Sequence, residues 1–328
     1  MFMEKSKEKK IMDVICIGEM VIDFMPVDVD CFRKRAGGAP SNVAIALAKN
    51  GIQSGFYGTV GNDGFGDYLF SILEKNNVQI LCKKRIDSAI TTMTFVTLDD
   101  EGNRSFVFAR KPGADCFLSK KMIDPLLLGD CKIVHAGSCS LSVAPASKAT
   151  EYAMKIAKEK KKIVSFDVNY RELLWDKDRK KARKKVQNLY PLIDLLKISD
   201  EEKDFIEGKR EEEVFEFQKT NNISLIVETL GKHGAVCYWN NTLLQEPEFP
   251  SNRVDTTGAG DAFWGTFLST LINEGVEETQ DITEIIIKKA LKRGNVAGAI
   301  CIQQKGAVES LPTGSEIDKL IQESQSEQ

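Results

Sequence analysis

The residues best suited to chemistry lie in Val254-Asp255-Thr256-Thr257-Gly258-Ala259-Gly260-Asp261-Ala262-Phe263. An apolar stripe at helical spacing follows through Phe267, Leu268, Leu271 and Ile272, so a helix begins at these small residues. The first N–H groups of a helix have no partner inside it, and with Gly258 and Gly260 there an anion can come close to the main chain. Such a site suits a phosphoryl group with charge developing on its oxygens. Asp261 falls in the first turn, where the helix dipole favours the ionised carboxylate and makes it a weak base. A weak base is sufficient for phosphoryl transfer. The attacking hydroxyl loses its proton late, and positioning and charge neutralisation carry most of the catalysis. Taken alone, the same residues also read as a favourable first-turn acid beside a tight turn.

Other phosphate and redox motifs lose support. Walker A requires Ser or Thr after Gly-Lys, and neither Gly208-Lys209 nor Gly231-Lys232 has one; no dinucleotide fingerprint follows the first strand, where Gly18 precedes Glu19, Met20 and Val21. His135 and His233 are the only histidines, too few for a histidine-rich metal site. The net charge of -3, with both signs interleaved, argues against nucleic acid or an anionic membrane as partner. No apolar run approaches the roughly 18 residues of a membrane span, and Ile11 to Ile17 is too short for a signal-peptide core. The expected compartment is the cytoplasm, with the eight scattered cysteines reduced.

The elements that must position Asp261 alternate. Val14 to Ile17, Phe56 to Val60, Ile133 to Ala136, Ile163 to Phe166, Leu195 to Ile198 and Leu225 to Val227 read as strands. Between them lie helical stretches: Asn42 to Asn50 closed by Gly51, a stripe through Phe65, Leu69, Ile72 and Leu73, and others around Ala149 to Ile156 and Ala182 to Leu189. This alternation predicts a parallel sheet with helices on both faces. One segment breaks the pattern. Thr92 to Leu98 and Arg104 to Arg110 form a hairpin across Asp99 to Asn103, and Arg104, Phe106, Phe108 and Arg110 share one face. That face is either a lid over a polar ligand or an ordinary half-buried hairpin. The basic run Lys177 to Lys185 carries an apolar stripe and reads as a solvated helix face.

Asp255 to Phe263 resembles the C-terminal signature of the PfkB, or ribokinase-like, family of carbohydrate kinases. Gly37-Gly38-Ala39-Pro40-Ser41-Asn42 resembles its N-terminal glycine pair, Gly18-Glu19 with Asp23 its opening, and Gly58, Gly61, Asp63 and Gly66 a further element. The similarity runs from about residue 13 to about 313, in the family's order. It implies a three-layer α/β/α sandwich with a mostly parallel central sheet and a small β lid. The main domain would comprise 11–23, 37–89 and 113–320, the lid 24–36 and 90–112, and 1–10 with 321–328 would be fraying tails.

The same resemblance implies roles by position. Asp261 matches the catalytic base, and the backbone of Gly258, Ala259 and Gly260 the anion hole. Asp23, Gly37, Gly38 and Asn42 match positions that hold sugar hydroxyls, as carboxylate and amide groups suit. Lys197, Ser199 and Glu202 resemble the region near the phosphates and Mg²⁺, with Ser199 standing where the family pattern has Asn. Thr229, Gly231 and Gly234 resemble the nucleotide loop, and Asn295 matches a position beside the adenine. Asp255, Thr257, Cys301, Gln304, Gly306 and Ser310 match a monovalent-cation site, K⁺ being the candidate, held mostly by backbone carbonyls.

The hairpin sequence, Gly113-Ala114-Asp115 and Asp167-Val168-Asn169-Tyr170-Arg171-x-x-Leu174-Trp175 are similar to the fructokinase branch, with Val168 where Pro is usual. In that light Phe106, Phe108 and Arg110 become lid contacts to the sugar, and Arg171 a clamp on phosphate or sugar, or else a structural salt bridge. The expected reaction is transfer of the γ-phosphoryl group of ATP to D-fructose with Mg²⁺. The alternatives are 2-keto-3-deoxygluconate or a riboside as acceptor, or a non-catalytic sugar-binding relative. Exposed lid edges leave a homodimer open.

Overall fold

The structure is a computed structural model that describes residues 11–28, 30–98, 104–208 and 210–326, without the side chains at 98 and 104–106. The tail 1–10, the turn at 99–103 and the side chains of Arg104 and Phe106 therefore lie outside the described residues. The apolar runs form β1 (Val14–Ile17), β4 (Ser54–Tyr57), β10 (Ile133–Gly137), β11 (Ile163–Asp167), β12 (Leu195–Ser199) and β13 (Leu225–Thr229), buried at nearly every position. Continuous burial is the mark of strands covered on both faces. Together with β6 (Gln79–Ile80) they run parallel. β14 (Ala235–Trp239) and β15 (Thr242–Glu246) add an antiparallel hairpin, giving the order β15-β14-β13-β12-β11-β10-β1-β4-β6.

Helices cover both faces. On one lie α1 (Ala39–Lys49), α2 (Gly64–Lys75), α7 (Ala259–Asn273), α8 (Glu284–Cys301) and α10 (Gly314–Ser326), packed on a core that includes Val43, Phe56, Trp264 and Leu291. On the other lie α3 (Pro125–Asp130), α4 (Ala146–Glu159), α5 (Arg179–Gln187) and α6 (Glu211–Thr220), over Met154, Phe166, Trp175 and Val186. α7 is buried all round, as a helix apolar on every side must be. The basic run forms α5, with Ala182 and Val186 inward and Arg179 and Arg183 paired to Asp204 and Glu207 at the surface. All eight cysteines are free, and only Cys31 is exposed.

A second sheet forms the lid, from β2 (Val21–Pro26), β3 (Phe32–Gly37), β8 (Met93–Leu98) and β9 (Arg104–Ala109), in the order β3-β2-β8-β9. Its register aligns Arg35, Asp23, Thr94 and Phe108 in one row. On the opposite face Phe24 and Phe95 stack at 4.8 Å, with Phe32 edge-on at 6.0 Å. Short β5 (Val60–Gly61) and β7 (Arg85–Ile86) pair beside the lid.

Three boundaries differ from expectation. The lid begins at Val21, so Asp23 is carried by the lid, because β2 pairs with β3 over its whole length. The strand expected at 56–60 is two strands broken at Gly58-Thr59. The C-terminal tail continues as helix to Ser326, with Leu320 and Ile321 packed on the core.

Candidate active site

The N-terminus of α7 is built by Gly258, which caps the helix with φ 84°. A side chain there would meet the Cα of Ala307 at 2.9 Å, so only glycine allows both the left-handed turn and the close approach of the 306–307 loop. Asp261 is the third helical residue. Its Oδ2 accepts a hydrogen bond from Asn42 Nδ2 at 2.8 Å, which joins the first turns of α1 and α7. The expectation of a carboxylate kept readily ionised by the helix dipole is corrected here. Asp261 is buried, and burial pushes it up to about 6, with Asn42 working against the shift and Asp167 adding to it. It is a stronger base than its place in the helix alone implies.

A second wall comes from the smaller sheet and α1. Asp23 lies against Gly37 so closely that a side chain at Gly37 would meet Asp23 Oδ2 at 2.1 Å. Burial pushes Asp23 up to about 6, against the nearby Thr94 hydroxyl and the positive charge of Arg171, while Asp261 adds to the rise. Gly38 caps α1, and Glu19 beneath it accepts a hydrogen bond from the Ala39 N–H at 3.3 Å. Burial pushes Glu19 up to about 7. Asn42 Oδ1 is buried with no hydrogen-bond partner among the described residues, which leaves it able to accept one.

The lid residues divide. Phe108 is half-buried in the row with Asp23. Arg110 was expected to hold the sugar, but its guanidinium is committed elsewhere. It donates to Asp115 Oδ2 at 2.9 and 2.7 Å and to Ser142 Oγ at 2.9 Å, in a buried ion pair. Arg171 donates to the Tyr170 carbonyl at 3.2 Å and makes no ion pair among the described residues.

Beneath the first turn of α7, Lys197 Nζ pairs with Asp167 Oδ2 at 2.9 Å, both buried. A side chain on Gly260 would stand 3.5 Å from this ammonium group. Burial works against the charge of Lys197, but Asp167 and Glu202 outweigh it and raise it further. Glu202 accepts from Tyr170 N at 2.6 Å and Ser199 N at 2.9 Å. Burial, then the Asp167 charge, raises it. Ser199 was expected near the phosphates, yet its hydroxyl accepts the Glu202 N–H in a reciprocal capping box. Asp167 was missed as a site residue, although an acid ending an apolar strand was a readable signal. Its Oδ1 is buried and unpartnered.

A cavity of about 200 Å³ gathers Thr229, Gly231, Gly234, Asn295, Ala259 and Gly260, so the residues resembling a nucleotide loop open onto the same turn as Asp261. The Asn295 amide donates to the Glu246 and Pro247 carbonyls at 3.0 and 2.9 Å and so holds the rim. Glu248, Phe249, Arg253 and Thr256 also line this cavity and were not foreseen. Asp255, Thr257, Cys301, Gly306 and Ser310 form a separate knot. Asp255 accepts from Thr257 N and Oγ1 and from Gly306 N, Cys301 Sγ lies 3.7 Å from the Thr257 carbonyl, and Ser310 Oγ donates to the Gly306 carbonyl. The Gln304 side chain is exposed, while its backbone N–H donates to the Cys301 carbonyl at 3.4 Å.

The sequence model described as pfkB family carbohydrate kinase matches residues 12–314. Fructokinase-1 of Oryza sativa subsp. japonica is 37% identical over 318 residues, covering 94% of this chain and 97% of that protein. Fructokinase from Xylella fastidiosa, solved with bound ATP, superposes with TM-score 0.88 at 31% identity over 95% of this chain and 98% of the other. Fructokinase from Vibrio cholerae O395, solved with fructose, ADP and calcium ion, superposes with TM-score 0.83 at 32% identity over 93% and 97%.

Proposed function

The chain belongs to the pfkB family of carbohydrate kinases, and from that premise we propose that it transfers the γ-phosphoryl group of ATP to a hydroxyl of D-fructose. The observation that carries this reading is the 2.8 Å bond between Asn42 and Asp261. It sets the buried carboxylate and the unpartnered Asn42 oxygen beside the N-terminal turn of α7, around one small volume. The fructokinases it resembles over nearly its whole length support fructose as the acceptor.

Asp23 and Asn42 hold sugar hydroxyls and orient one of them toward Asp261. The hydroxyl oxygen forms its bond to the γ-phosphorus as the bond from that phosphorus to the β,γ-bridging oxygen breaks. The proton passes to Asp261, and ADP leaves with the bridging oxygen. The N–H groups at Gly258 to Gly260 and the Lys197 ammonium stabilise charge on the transferred group. The lid row of Phe108, Thr94 and Asp23 shields the reaction from water, which would otherwise accept the phosphoryl group.

Mg²⁺ fits beside these groups, because Asp167 Oδ1 is a buried carboxylate oxygen with no partner among the described residues and the Glu202 carboxylate lies close enough to feel the Asp167 charge. Those two residues would hold the ion or its waters, and Mg²⁺ neutralises charge on the phosphates. The knot around Asp255 is read as a K⁺ site, since the carbonyls of Thr257 and Gly306 keep a second lone pair after accepting from Cys301 and Ser310. The reading also takes the enzyme as a cytoplasmic homodimer joined through the outer lid face, where Phe32 and Val107 stay exposed.

ADP release from Mg-ATP with a panel of sugars and ribosides tests the assignment, with wild type and Asp261→Asn side by side. Fructose-dependent turnover that the variant abolishes is the expected result. Turnover on a different sugar would replace the acceptor and keep the mechanism. Binding of both substrates without turnover by the wild type would overturn the enzymatic reading.

A further inference from the structure

One cation at the nucleotide cavity has no role in the account above. Arg253 sits two residues before Asp255, on the loop that leads into the Gly258 turn, and lines the same cavity as Thr256 and Ala259. Beside it stands Glu248, also a lining residue, and Arg253 Nη2 donates to its Oε1 at 2.5 Å. The pair is half-exposed, at 45% and 31%. It makes this one hydrogen bond, not a two-pronged pairing, so most of the guanidinium N–H groups have no acceptor among the described residues. Ion pairs that exposed are weak, because water screens them. The carboxylate therefore holds the arginine at the opening without retaining it strongly.

We propose that Arg253 is a further nucleotide-binding residue of this chain, and that its guanidinium exchanges Glu248 for a phosphate oxygen when a nucleoside triphosphate enters. The exchange rests on reading the cavity as the nucleotide site. It is favourable because a polyphosphate carries more charge than one carboxylate and accepts from the planar fork at two oxygens. Glu248 has the opposite effect on the same ligand. It competes for the arginine and places a negative charge where a polyanion must pass.

The test is equilibrium binding of ATP and of adenosine to the full chain at two salt concentrations, in wild type, Arg253→Gln, Arg253→Lys and Glu248→Gln. Arg253→Gln is expected to weaken ATP roughly tenfold, with adenosine unchanged and the salt dependence of ATP binding reduced. Arg253→Lys should recover part of the loss, because charge returns without the fork, and Glu248→Gln should tighten ATP roughly twofold to threefold. Equal weakening of ATP and adenosine would show that Arg253 serves the base, the ribose or the loop, and would overturn the proposal. Unchanged ATP binding in Arg253→Gln would overturn it as well while leaving the cavity assignment standing. Failure of the wild type to bind ATP would instead bring down the cavity assignment, and this proposal with it.

Discussion

The two walls of the site hold their charges in opposite ways. On the core wall, Lys197, Asp167 and Glu202 are almost completely buried and bound to one another or to backbone N–H groups. On the lid wall, Asp23 forms no ion pair among the described residues, and its carboxylate meets Arg171 and Asp261 only through space. The charges of the core wall are met within the fold itself. The lid wall has no such pairing, and on the proposed function a sugar hydroxyl takes that place. Fixed electrostatics thus sit on the parallel sheet, and on the proposed function sugar recognition sits on the smaller one.

The largest effect is expected where the walls meet. Asp261→Asn should lower kcat by about 10³-fold, within the range for losing a general base. The same change should stabilise the free protein at neutral pH. A carboxyl whose folded value is raised from 3.8 to about 6 contributes stability that is full below 3.8 and is lost as pH rises through about 6. Above that window burying the charge is a cost, so the neutral amide should raise stability by about 1–3 kcal/mol at pH 7.5. Urea denaturation of the two proteins at pH 4 and pH 7.5 checks this. An advantage for the variant that is the same at both pH values would show that Asp261 is not the buried charge described here.

Next in size is the core wall itself. Lys197→Met leaves Asp167 buried and unpaired, which should cost about 3–5 kcal/mol. Removing the charge as well, in Lys197→Met with Asp167→Asn, should recover much of that loss while activity stays absent. If the double variant is no more stable than the single one, the pair is not the determinant of stability on this wall. The lid wall should behave differently. Asp23→Asn should raise KM for the sugar roughly 30-fold to 100-fold, as expected for losing a charged hydrogen bond, and at pH 7.5 it should raise the urea midpoint, because burial holds this carboxyl up at about 6 as well. A large loss of stability there would erase the contrast between the walls.

The same contrast explains what the sequence made legible. The core strands were readable because burial on both faces forces unbroken apolar runs such as Ile163 to Phe166. Asp261 and Asn42 were readable because each sits in a turn rich in small residues at the start of a helix. The commitment of Arg110 to Asp115 was not readable. A strand pattern shows which face a side chain takes, and it says nothing about a partner five residues away on a different element. The shift of Asp261 was misjudged for a similar reason, since the dipole is a local property of the helix and burial is a property of everything packed around it. The β14–β15 hairpin was overlooked although Asn240-Asn241, at φ 47° and 59°, is a turn signal in plain view.

The pH profile sharpens the comparison with a smaller effect. Burial pushes Asp23 and Asp261 each up to about 6, and the Asp261 charge adds to the rise of Asp23. As pH falls through this region, kcat/KM should decline because the base takes up a proton. With two coupled carboxyls the limb should become steeper than one decade per pH unit at its acid end. Asp23→Asn should shift the midpoint down and leave a limb of one decade per unit. A single-proton limb in the wild type would mean that the lid carboxyl does not share the titration of the core base.

The smallest effect on the fold itself is expected on the outer face of the lid. Val107 is 58% exposed on an edge strand, near the stacked pair of Phe24 and Phe95. Val107→Asp removes no buried contact, so it should change the stability of an isolated chain by less than about 1 kcal/mol. If two copies join through this face, the same substitution places like charges within the shared interface and should shift sedimentation toward the monomer. The KM for sugar should rise with it, because a lid supported by a partner is held nearer its closed position. Turnover and sedimentation that both ignore the substitution would leave the lid wall dependent on this chain alone, and the sugar would then be the one agent that completes it.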